Sequence, residues 1–413
     1  MACNKKNPRD LQTITLAILL LALIMSVSIV TAVSSSNVVI SSFGTIGSTV
    51  VSPLHIDGRY VRNSSDHIVQ LKGVDFARFI DTPYGDWILP NGQVTWANWN
   101  PSYAISNIDA MKSWGLNSVR TLSTVEWWKN NVGNHRQITK DWITLAASRG
   151  MYVTYGFWRV TGSSQQNPLP YPPYNNGDNN TLISSTNDFV NLWVSVASEL
   201  KDYPNVIFEL WNEPNGNADA QASWFNVTQQ CITAIRGTGA TNLIVVQWGY
   251  CAGVDMEGFS SYNSGSRAGS LYHVDWINQF PLNDSSGNIL YSTHLYRNSF
   301  YDSSQGYKKM GSQGWVNYTS NDLEYALNIT GVSSNSKALW IGEIGPNQWN
   351  TEDIVNEYGW YDGCLAILNQ NGIGYAAWEW WPAGAWAHLT SNANYTPNQA
   401  GTILCNRLMN STS

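Results

Sequence analysis

The sequence predicts an α/β protein that forms a single closed barrel of eight parallel strands with helices between them, a (β/α)8 TIM barrel. Eight short β-rich runs alternate with helical stretches along the 413 residues, as parallel βα units require. The runs are nearly continuous stretches of Val, Ile, Leu and aromatic residues, typical of strands covered on both faces. Polar residues follow the C-terminal ends of many runs, which favours a closed barrel over a doubly wound sheet.

The predicted strands share a high content of β-branched and aromatic residues, and they lie at 68–76, 117–122, 151–157, 206–212, 242–247, 289–296, 338–344 and 373–380. The clearest helix is 101–114, with Asn100 as N-cap, Pro101 at its first position and Gly115 after its end. Further helices are predicted at 137–149, 187–201, 220–236, 321–329, 353–369 and 397–409, with a weaker candidate at 272–280.

Three connections are unusually long, at 77–100, 159–182 and 297–320. Each follows a predicted strand, so the barrel topology places all three on the C-terminal face. They carry Trp, Tyr and Pro, and loops of this length are commonly functional. We therefore expect them to form the walls of a cleft.

The N-terminal residues 1–32 are predicted to be a signal peptide or a signal anchor. Lys5, Lys6 and Arg9 precede an uncharged stretch, and Val30-Thr31-Ala32 offers a small-residue cleavage site. Because the apolar run is also long enough to span a bilayer, an uncleaved membrane anchor stays open as the alternative. Residues 33–55 are predicted to be a Ser-rich linker or an added strand, and 56–410 the barrel domain. The expected location is secreted or extracellular, or membrane-anchored at the cell surface.

Composition limits the partners. Without residues 1–32 the chain keeps 19 basic and 28 acidic residues, a formal charge of −9, and no Lys/Arg cluster, which argues against a nucleic-acid partner. Two explanations stay open for the Asn-x-Ser/Thr sequons: they are sites of glycosylation, or they arise by chance in a surface rich in Asn, Ser and Thr. The eight sequons begin at Asn63, Asn179, Asn226, Asn283, Asn317, Asn328, Asn394 and Asn410.

Four cysteines follow the N-terminal segment, an even number that suits an oxidising compartment. We expect disulfides between Cys364 and Cys405 and between Cys231 and Cys251. No cysteine spacing fits a zinc site, and the sequence indicates neither a metal nor a cofactor.

Two glutamates stand at the ends of apolar strands. The run 206–214, Val-Ile-Phe-Glu-Leu-Trp-Asn-Glu-Pro, ends with Glu213, and the run 339–345 carries Glu343 as its single charge. In a barrel these residues would face each other across the mouth. Two opposed carboxyl groups are what acid/base chemistry at a glycosidic bond requires.

At these motifs the chain resembles glycoside hydrolase family five, the cellulase family of the (β/α)8 glycosidases. The matching motifs run in family order from about 73 to 380 and are Asn212-Glu213-Pro214, Gly342-Glu343-Ile344-Gly345, Asn117-Ser118-Val119-Arg120 and His294-Leu295-Tyr296. The resemblance implies that Glu213 is the acid/base and Glu343 the nucleophile.

The resemblance also implies a set of substrate-binding residues. Asn212 matches the residue that bonds the sugar 2-hydroxyl, and Arg120 matches the arginine that holds the nucleophile. The pair that lines the catalytic subsite is matched by His294 and Tyr296. The aromatic floor after strand eight is best matched by Trp380, in a run with Trp378, Trp381 and Trp386.

Two positions depart from the family pattern. Asp75 stands in Gly73-Val74-Asp75 where asparagine is common, and Trp158 stands where many members place a histidine that touches sugar hydroxyls. Both departures are expected in substrate contact. Glu209 and Glu379 are expected to be structural.

The resemblance implies a retaining endo-β-1,4-glucanase whose partner is a β-1,4-glucan polysaccharide. An endo-β-mannanase on the same scaffold is the alternative. From another class, a non-catalytic sugar-binding surface glycoprotein would use aromatic residues without needing two opposed carboxylates. Oligomeric state is left open.

Overall fold

The computed structural model describes residues 51–76, 84–88, 94–161, 182–214, 218–247, 276–296, 301–302, 306–307, 337–348, 351–381, 388–391 and 394–409. By internal contacts the chain divides into residues 1–47 and 48–413, and the described residues all lie in the second unit. The predicted signal segment, most of the predicted linker, Cys251 and the predicted helix 321–329 lie outside the described residues.

Eight parallel strands close into one barrel, which confirms the predicted fold class. We number them β1 to β8 along the chain: Lys72–Asp75, Ser118–Thr124, Tyr152–Arg159, Val206–Glu209, Ile244–Gln247, Ile289–Tyr296, Ala338–Gly345 and Gly374–Ala377. Each strand pairs with its successor, and β8 pairs with β1 through Tyr375 and Lys72 to close the ring. Each of the eight predicted runs overlaps one of these strands.

Helices follow most strands and form the outer layer. In chain order, α1 to α8 are Pro101–Ser113, Val125–Asn130, His135–Ser148, Thr186–Leu200, Ala218–Gly237, Trp276–Gln279, Ile354–Gln370 and Gln399–Met409. The N-terminus of α1 is capped as predicted, because the Asn100 side chain accepts a hydrogen bond from the N–H of Ser102 at 3.0 Å. Three short antiparallel hairpins add to the barrel: Leu54–Asp57 with Tyr60–Asn63, Tyr84–Ile88 with Val94–Asn98, and Tyr301–Asp302 with Gly306–Tyr307.

Strand alternation separates two cores. Along β4, Phe208 faces the helices and belongs to the large outer core, whereas Ile207 belongs to a second apolar cluster inside the barrel. Val51 and Leu54 belong to the same inner cluster, and the hydroxyl of Tyr152 donates to the carbonyl of Ser52 at 3.1 Å. The N-terminal hairpin therefore covers the barrel at the N-terminal ends of its strands, so that the opposite face carries the polar residues.

The predicted disulfide between Cys364 and Cys405 is wrong. Helices α7 and α8 do contact each other, but the structure has no bond between these two cysteines. Leu404 and Leu408 occupy the core-facing positions of α8, and Cys405 lies about 100° further round the helix from Leu404, where it is only half-buried. Cys364 is fully buried on the core side of α7. The second predicted pair is wrong as well, because Cys231 is buried and forms no disulfide, while Cys251 lies outside the described residues.

Within the described part of the chain, every helix is too short or too polar to cross a lipid bilayer.

Candidate active site

Arg120 on β2 lies at the centre of a buried group of polar side chains, and its own side chain is fully buried. Its Nε and Nη2 donate to the two carboxylate oxygens of Glu209 at 2.6 and 2.8 Å. Its Nη1 donates to Oδ1 of Asp75 at 2.8 Å and to Oε1 of Glu343 at 2.7 Å. One guanidinium therefore joins carboxylates from β1, β4 and β7, and we call these four residues the Arg120 cluster.

Glu343, the predicted nucleophile, is held from the side of β6 as well. Its Oε2 accepts a hydrogen bond from the Tyr296 hydroxyl at 2.6 Å and lies 3.3 Å from Nδ1 of His294. A register shift between Thr293 and His294 sets His294 beside Glu343 in the β6–β7 pairing. Burial, reinforced by the charge of Glu343, raises the pKa of Tyr296, so the hydroxyl keeps the proton that it donates.

Glu213, the predicted acid/base, lies in a tight turn after β4. Its φ of 49° is in the left-handed region, which is costly for a residue with a side chain. Pro214 follows it, and a proline disfavours right-handed helical geometry in the preceding residue. The N–H of Glu213 donates to Oε1 of Gln247 at 3.0 Å, and its Oε1 lies 2.9 Å from Nδ1 of His294.

The two predicted catalytic carboxylates lie close together. One oxygen of Glu213, one oxygen of Glu343 and a ring nitrogen of His294 are all within 4.8 Å of one another. Retaining glycosidases separate their carboxyl groups by about 5 to 5.5 Å, and inverting enzymes by about 6.5 to 9.5 Å. The arrangement matches the shorter class. These three groups are also near enough to ligate a metal ion, so the absence of a metal stays a prediction.

Burial controls ionisation in this site. It raises the pKa of Glu343, against the opposing influence of His294 and Arg120. It also raises the pKa of Asp75 well above the ordinary range of an aspartate. Burial lowers the pKa of His294 to about 4, so this imidazole is neutral at neutral pH.

Asn212 is buried beside the Arg120 cluster. Its N–H donates to the carbonyl of Phe157 at 2.8 Å, and its side-chain oxygen accepts from Nη2 of Arg120 at 2.5 Å. Arg120 therefore orients the amide of Asn212 as well as the carboxylate of Glu343. Contact between Asn212 and a sugar hydroxyl stays a prediction.

The structure does not place Trp380 in the site, so its assignment as the aromatic floor is wrong. Trp380 is fully buried, its Nε1 donates to Asn107 of α1 at 3.0 Å, and its ring stacks on Tyr395 with centroids 5.7 Å apart. Strand β8 ends at Ala377, so strand alternation does not fix which of the following tryptophans faces the barrel mouth. Trp386 lies outside the described residues.

Trp378 and Trp158 lie together at the ends of β8 and β3. Trp378 is half-buried and packs on a small apolar cluster of Trp158 and Leu122. The ring of Trp158 is covered by the guanidinium of Arg159, whose central carbon is 3.7 Å from the ring centroid. Trp378 thus lies at the end of β8 beside Trp158, the residue that replaces the expected histidine.

Two further residues correct or extend the sequence prediction. Asp75 is fully buried and bonds Arg120, so the expectation that it contacts substrate is wrong. Gln247, at the end of β5, donates to Glu209 and contacts His294, but the sequence analysis did not select it. The available signal was its place as the polar residue that ends an otherwise apolar strand, the same signal that identified the glutamates.

The chain is similar in sequence to known proteins. The model of the family described as Cellulase (glycosyl hydrolase family 5) matches residues 82–384. A mannan endo-1,4-β-mannosidase of Cellvibrio japonicus is 23% identical over 76% of this chain and 60% of its own length. A probable endo-β-1,4-glucanase B of Neosartorya fischeri is 30% identical over 52% of this chain and 57% of its own length. The chain thus spans less than two thirds of these relatives.

Solved structures share the fold. A hyperthermophilic endocellulase from Pyrococcus horikoshii superposes with a TM-score of 0.63 at 19% identity, covering 88% of this chain and 100% of its own. The catalytic domain of a Thermobifida fusca endoglucanase, solved with cellotetraose, gives a TM-score of 0.59 at 18% identity, covering 87% and 98%. The family match extends over most of the sequence, from the first long loop past β8. The chain belongs to the cellulase family, glycosyl hydrolase family 5.

Proposed function

We propose that the protein is a retaining endo-β-1,4-glucanase that cleaves β-glucan chains with Glu343 as nucleophile and Glu213 as acid/base. The observation that carries the proposal is the short separation of the two carboxylates, with one oxygen of each within 4.8 Å of the other. That spacing leaves no room for a water molecule between nucleophile and sugar.

In the first step, an oxygen of Glu343 attacks the anomeric carbon while the bond from that carbon to the leaving oxygen breaks. Glu213 gives its proton to the leaving oxygen, and a covalent glycosyl ester remains on Glu343. Arg120 and Tyr296 already hold Glu343 through hydrogen bonds at 2.7 and 2.6 Å, so the nucleophile is oriented before substrate arrives.

In the second step, water attacks the anomeric carbon and its proton passes to Glu213, which now acts as base. The ester bond breaks, Glu343 leaves as a carboxylate, and the sugar keeps its anomeric configuration after two inversions. Esterification removes the charge of Glu343 during the reaction, which favours ionised Glu213 when a base is needed.

The remaining predicted residues take supporting roles. Asn212, oriented by Arg120, is proposed to bond the sugar 2-hydroxyl. His294 and Tyr296 are proposed to line the catalytic subsite. The half-buried Trp378, supported by the buried Trp158, is proposed to offer the apolar surface on which a sugar face packs.

Variants of the two glutamates test the mechanism. Glu343→Gln should abolish turnover on every substrate, whereas Glu213→Ala should spare the first step on substrates with good leaving groups, which need no acid. Proton NMR of the first-formed sugar from the wild-type enzyme should show the β-anomer. Glu199→Gln is a matched control. Glu199 forms an ion pair of 2.9 Å with Arg136 and is not part of the Arg120 cluster. An α-anomer would contradict the retaining mechanism.

An endo-β-mannanase is the second candidate, favoured by one relative of that activity that aligns with 76% of the chain. Glucose and mannose units differ in the configuration at carbon 2, the position that Asn212 is proposed to read. Hydrolysis of carboxymethylcellulose faster than of mannan would support the glucanase, and the reverse would support the mannanase. Binding of both polymers without hydrolysis of either would support a sugar-binding glycoprotein.

The place of action follows from the N-terminal segment. Residues 1–32 are proposed to direct export, with the barrel acting outside the cell on polymers too large to enter it. N-terminal sequencing of secreted protein should begin near Val33. Recovery only in membranes, with residues 1–32 attached, would establish the anchor instead.

A further inference from the structure

We infer that Gln247 is a positioning residue: it sets the tautomer of His294 and thereby keeps the acid proton of Glu213 on the oxygen that His294 does not contact. The inference rests on the proposed function of Glu213 as acid/base. Gln247 ends β5, is buried, and bridges β4 and β6 through its side-chain amide.

The orientation of the Gln247 amide follows from two groups whose roles are fixed. The main-chain N–H of Glu213 can only donate, so the atom 3.0 Å from it is the amide oxygen of Gln247. The carboxylate of Glu209 accepts two hydrogen bonds from Arg120, so the Gln247 atom that contacts it is the donating NH2 group. Both constraints select the same orientation.

This orientation determines the tautomer of His294. The NH2 group of Gln247 lies 3.1 Å from Nε2 of His294, so that nitrogen must accept. A neutral imidazole with Nε2 as acceptor carries its hydrogen on Nδ1. His294 therefore donates from Nδ1 to Oε1 of Glu213 at 2.9 Å, and Nδ1 also lies 3.3 Å from Oε2 of Glu343.

The tautomer matters for the acid step. While Nδ1–H donates to Oε1 of Glu213, that oxygen is an acceptor, and the acid proton must sit on Oε2, where a leaving oxygen can take it. In the other tautomer Nδ1 would be an acceptor, and Glu213 would donate its proton to His294 instead of to the glycosidic oxygen. The hydrogen bonds run from the main chain of Glu213 through Gln247 and His294 back to its own carboxylate.

The wild-type tautomer can be measured directly. In the full chain labelled with 15N-histidine, the His294 signal among six histidines is identified by its loss in His294→Asn. At neutral pH we expect a neutral ring with its hydrogen on Nδ1. A hydrogen on Nε2 would overturn the inference, and this measurement needs neither a folded Gln247 variant nor activity.

The variant Gln247→Glu keeps the shape of the side chain but replaces the NH2 group by oxygen, so Nε2 of His294 must donate. We expect the ring hydrogen to move to Nε2. We also expect kcat/KM on cellotetraose, a poor leaving group, to fall at least about 100-fold, while cleavage of 2,4-dinitrophenyl cellobioside falls less than about tenfold. Equal losses on the two substrates, or an unchanged tautomer, would show that Gln247 is merely structural.

Gln229→Glu is the matched control. Gln229 also bridges main-chain groups, since its amide accepts from the N–H of Asn283 at 2.7 Å and donates to its carbonyl at 2.9 Å, but it lies near the surface on α5. This variant should hydrolyse both substrates at the wild-type rates. Wild-type protein that hydrolyses no β-glucan or mannan would contradict the proposed function, while the tautomer of His294 would still test this inference separately.

Discussion

At the scale of single residues, the site concentrates more negative than positive charge. Arg120 contacts the carboxyl groups of Asp75, Glu209 and Glu343, and the nearby His294 is neutral at neutral pH. An uncompensated buried charge is costly, so one of the carboxyl groups should keep its proton. Asp75 fits this role, because burial raises its pKa well above the usual range and its Oδ2 has no partner among the described residues.

Asp75→Asn should therefore retain hydrolysis and stabilise the fold more as pH rises. The raised pKa means that wild-type Asp75 takes up a proton on folding. Above the ordinary pKa of aspartate, each pH unit therefore lowers the free energy of unfolding by about 1.4 kcal/mol, until the pKa of the folded state is reached. Asparagine has no such cost. Denaturant unfolding at pH 4 and pH 7 should show little gain at the lower pH and a clear gain at the higher one.

Asp284→Asn is the control with the opposite sign. Burial opposes the charge of Asp284, but hydrogen bonds from Arg236 and from main-chain N–H groups outweigh it and hold the pKa below its ordinary value. The stability from this carboxylate is present at neutral pH and is lost as pH falls. Asp284→Asn should thus be destabilised mainly at pH 7, and a similar loss in Asp75→Asn would contradict our account of Asp75.

The sequence predicted the charged residues of the site better than the aromatic ones. Glu213 and Glu343 each stand out as a charged residue near the end of an apolar strand, and a barrel gathers such polar groups at the C-terminal ends of its strands. A tryptophan is stable both at the mouth and in the core, so the sequence does not distinguish Trp378 from Trp380. The direction of each side chain depends on where β8 ends, because strand alternation stops there. The role of Asp75 depends on a contact with Arg120 across 45 positions, which no local pattern shows.

At the scale of elements, helix α8 packs closely through a glycine. A Cβ added at Gly401 would overlap the carbonyl oxygen of Leu389 and lie 2.9 Å from both Pro397 and the ring of Trp114. Real Cβ atoms do not approach backbone so closely. The absence of a side chain is therefore what lets α8 dock on the segment after β8.

Gly401→Ala should destabilise the protein by about 1 to 3 kcal/mol, because the backbone around Leu389 must move to admit the methyl group. Gly237→Ala, at the end of α5, is the matched control: nothing lies within 4 Å of its added Cβ, and alanine favours a helix over glycine by up to about 1 kcal/mol. Thermal unfolding should move in opposite directions for the two variants. A neutral Gly401→Ala would show that α8 does not dock this tightly.

Long elements were predictable and short ones were not. Buried parallel strands give continuous apolar runs, so each strand was located within a few residues. Two short elements do not show a sequence period, because they have too few residues. Helix α2 at Val125–Asn130 was not predicted, and the hairpin of Tyr84–Ile88 with Val94–Asn98 lies in a predicted connection. The wrong pairing of Cys364 with Cys405 has a similar origin, because adjacency of helices does not specify rotation about their axes.

At the scale of the whole molecule, two buried histidines link stability to acidity. Burial lowers the pKa of His294 to about 4, and burial, with the charge of Arg136, lowers the pKa of His135 to about 3. Nε2 of His135 lies 2.7 Å from the hydroxyl of Ser123, which can either donate to or accept from a neutral ring. Both groups bind protons in the unfolded chain, near pH 6.5, before they do so in the folded one.

His135→Gln should make the protein less sensitive to acid. Between pH 6.5 and 4 each neutral buried histidine removes up to about 1.4 kcal/mol of stability per pH unit, since the unfolded state gains the proton. Glutamine offers Ser123 both a donor and an acceptor, and it does not titrate. Denaturant unfolding across this range should give a shallower decline for the variant, and parallel declines would contradict the link.

The ion pair between Arg120 and Glu343 joins residues 223 positions apart, and β8 must still close on β1 after the second of them is in place. During synthesis, Glu209 follows Arg120 by 89 positions, so both residues of that ion pair are made before Glu343, the proposed nucleophile. A chain made only as far as Glu209 therefore has three of the four residues of the Arg120 cluster and lacks Glu343. Because the proposed nucleophile lies on β7 and the ring closes through β8, we expect activity regained on refolding to report closure of the barrel.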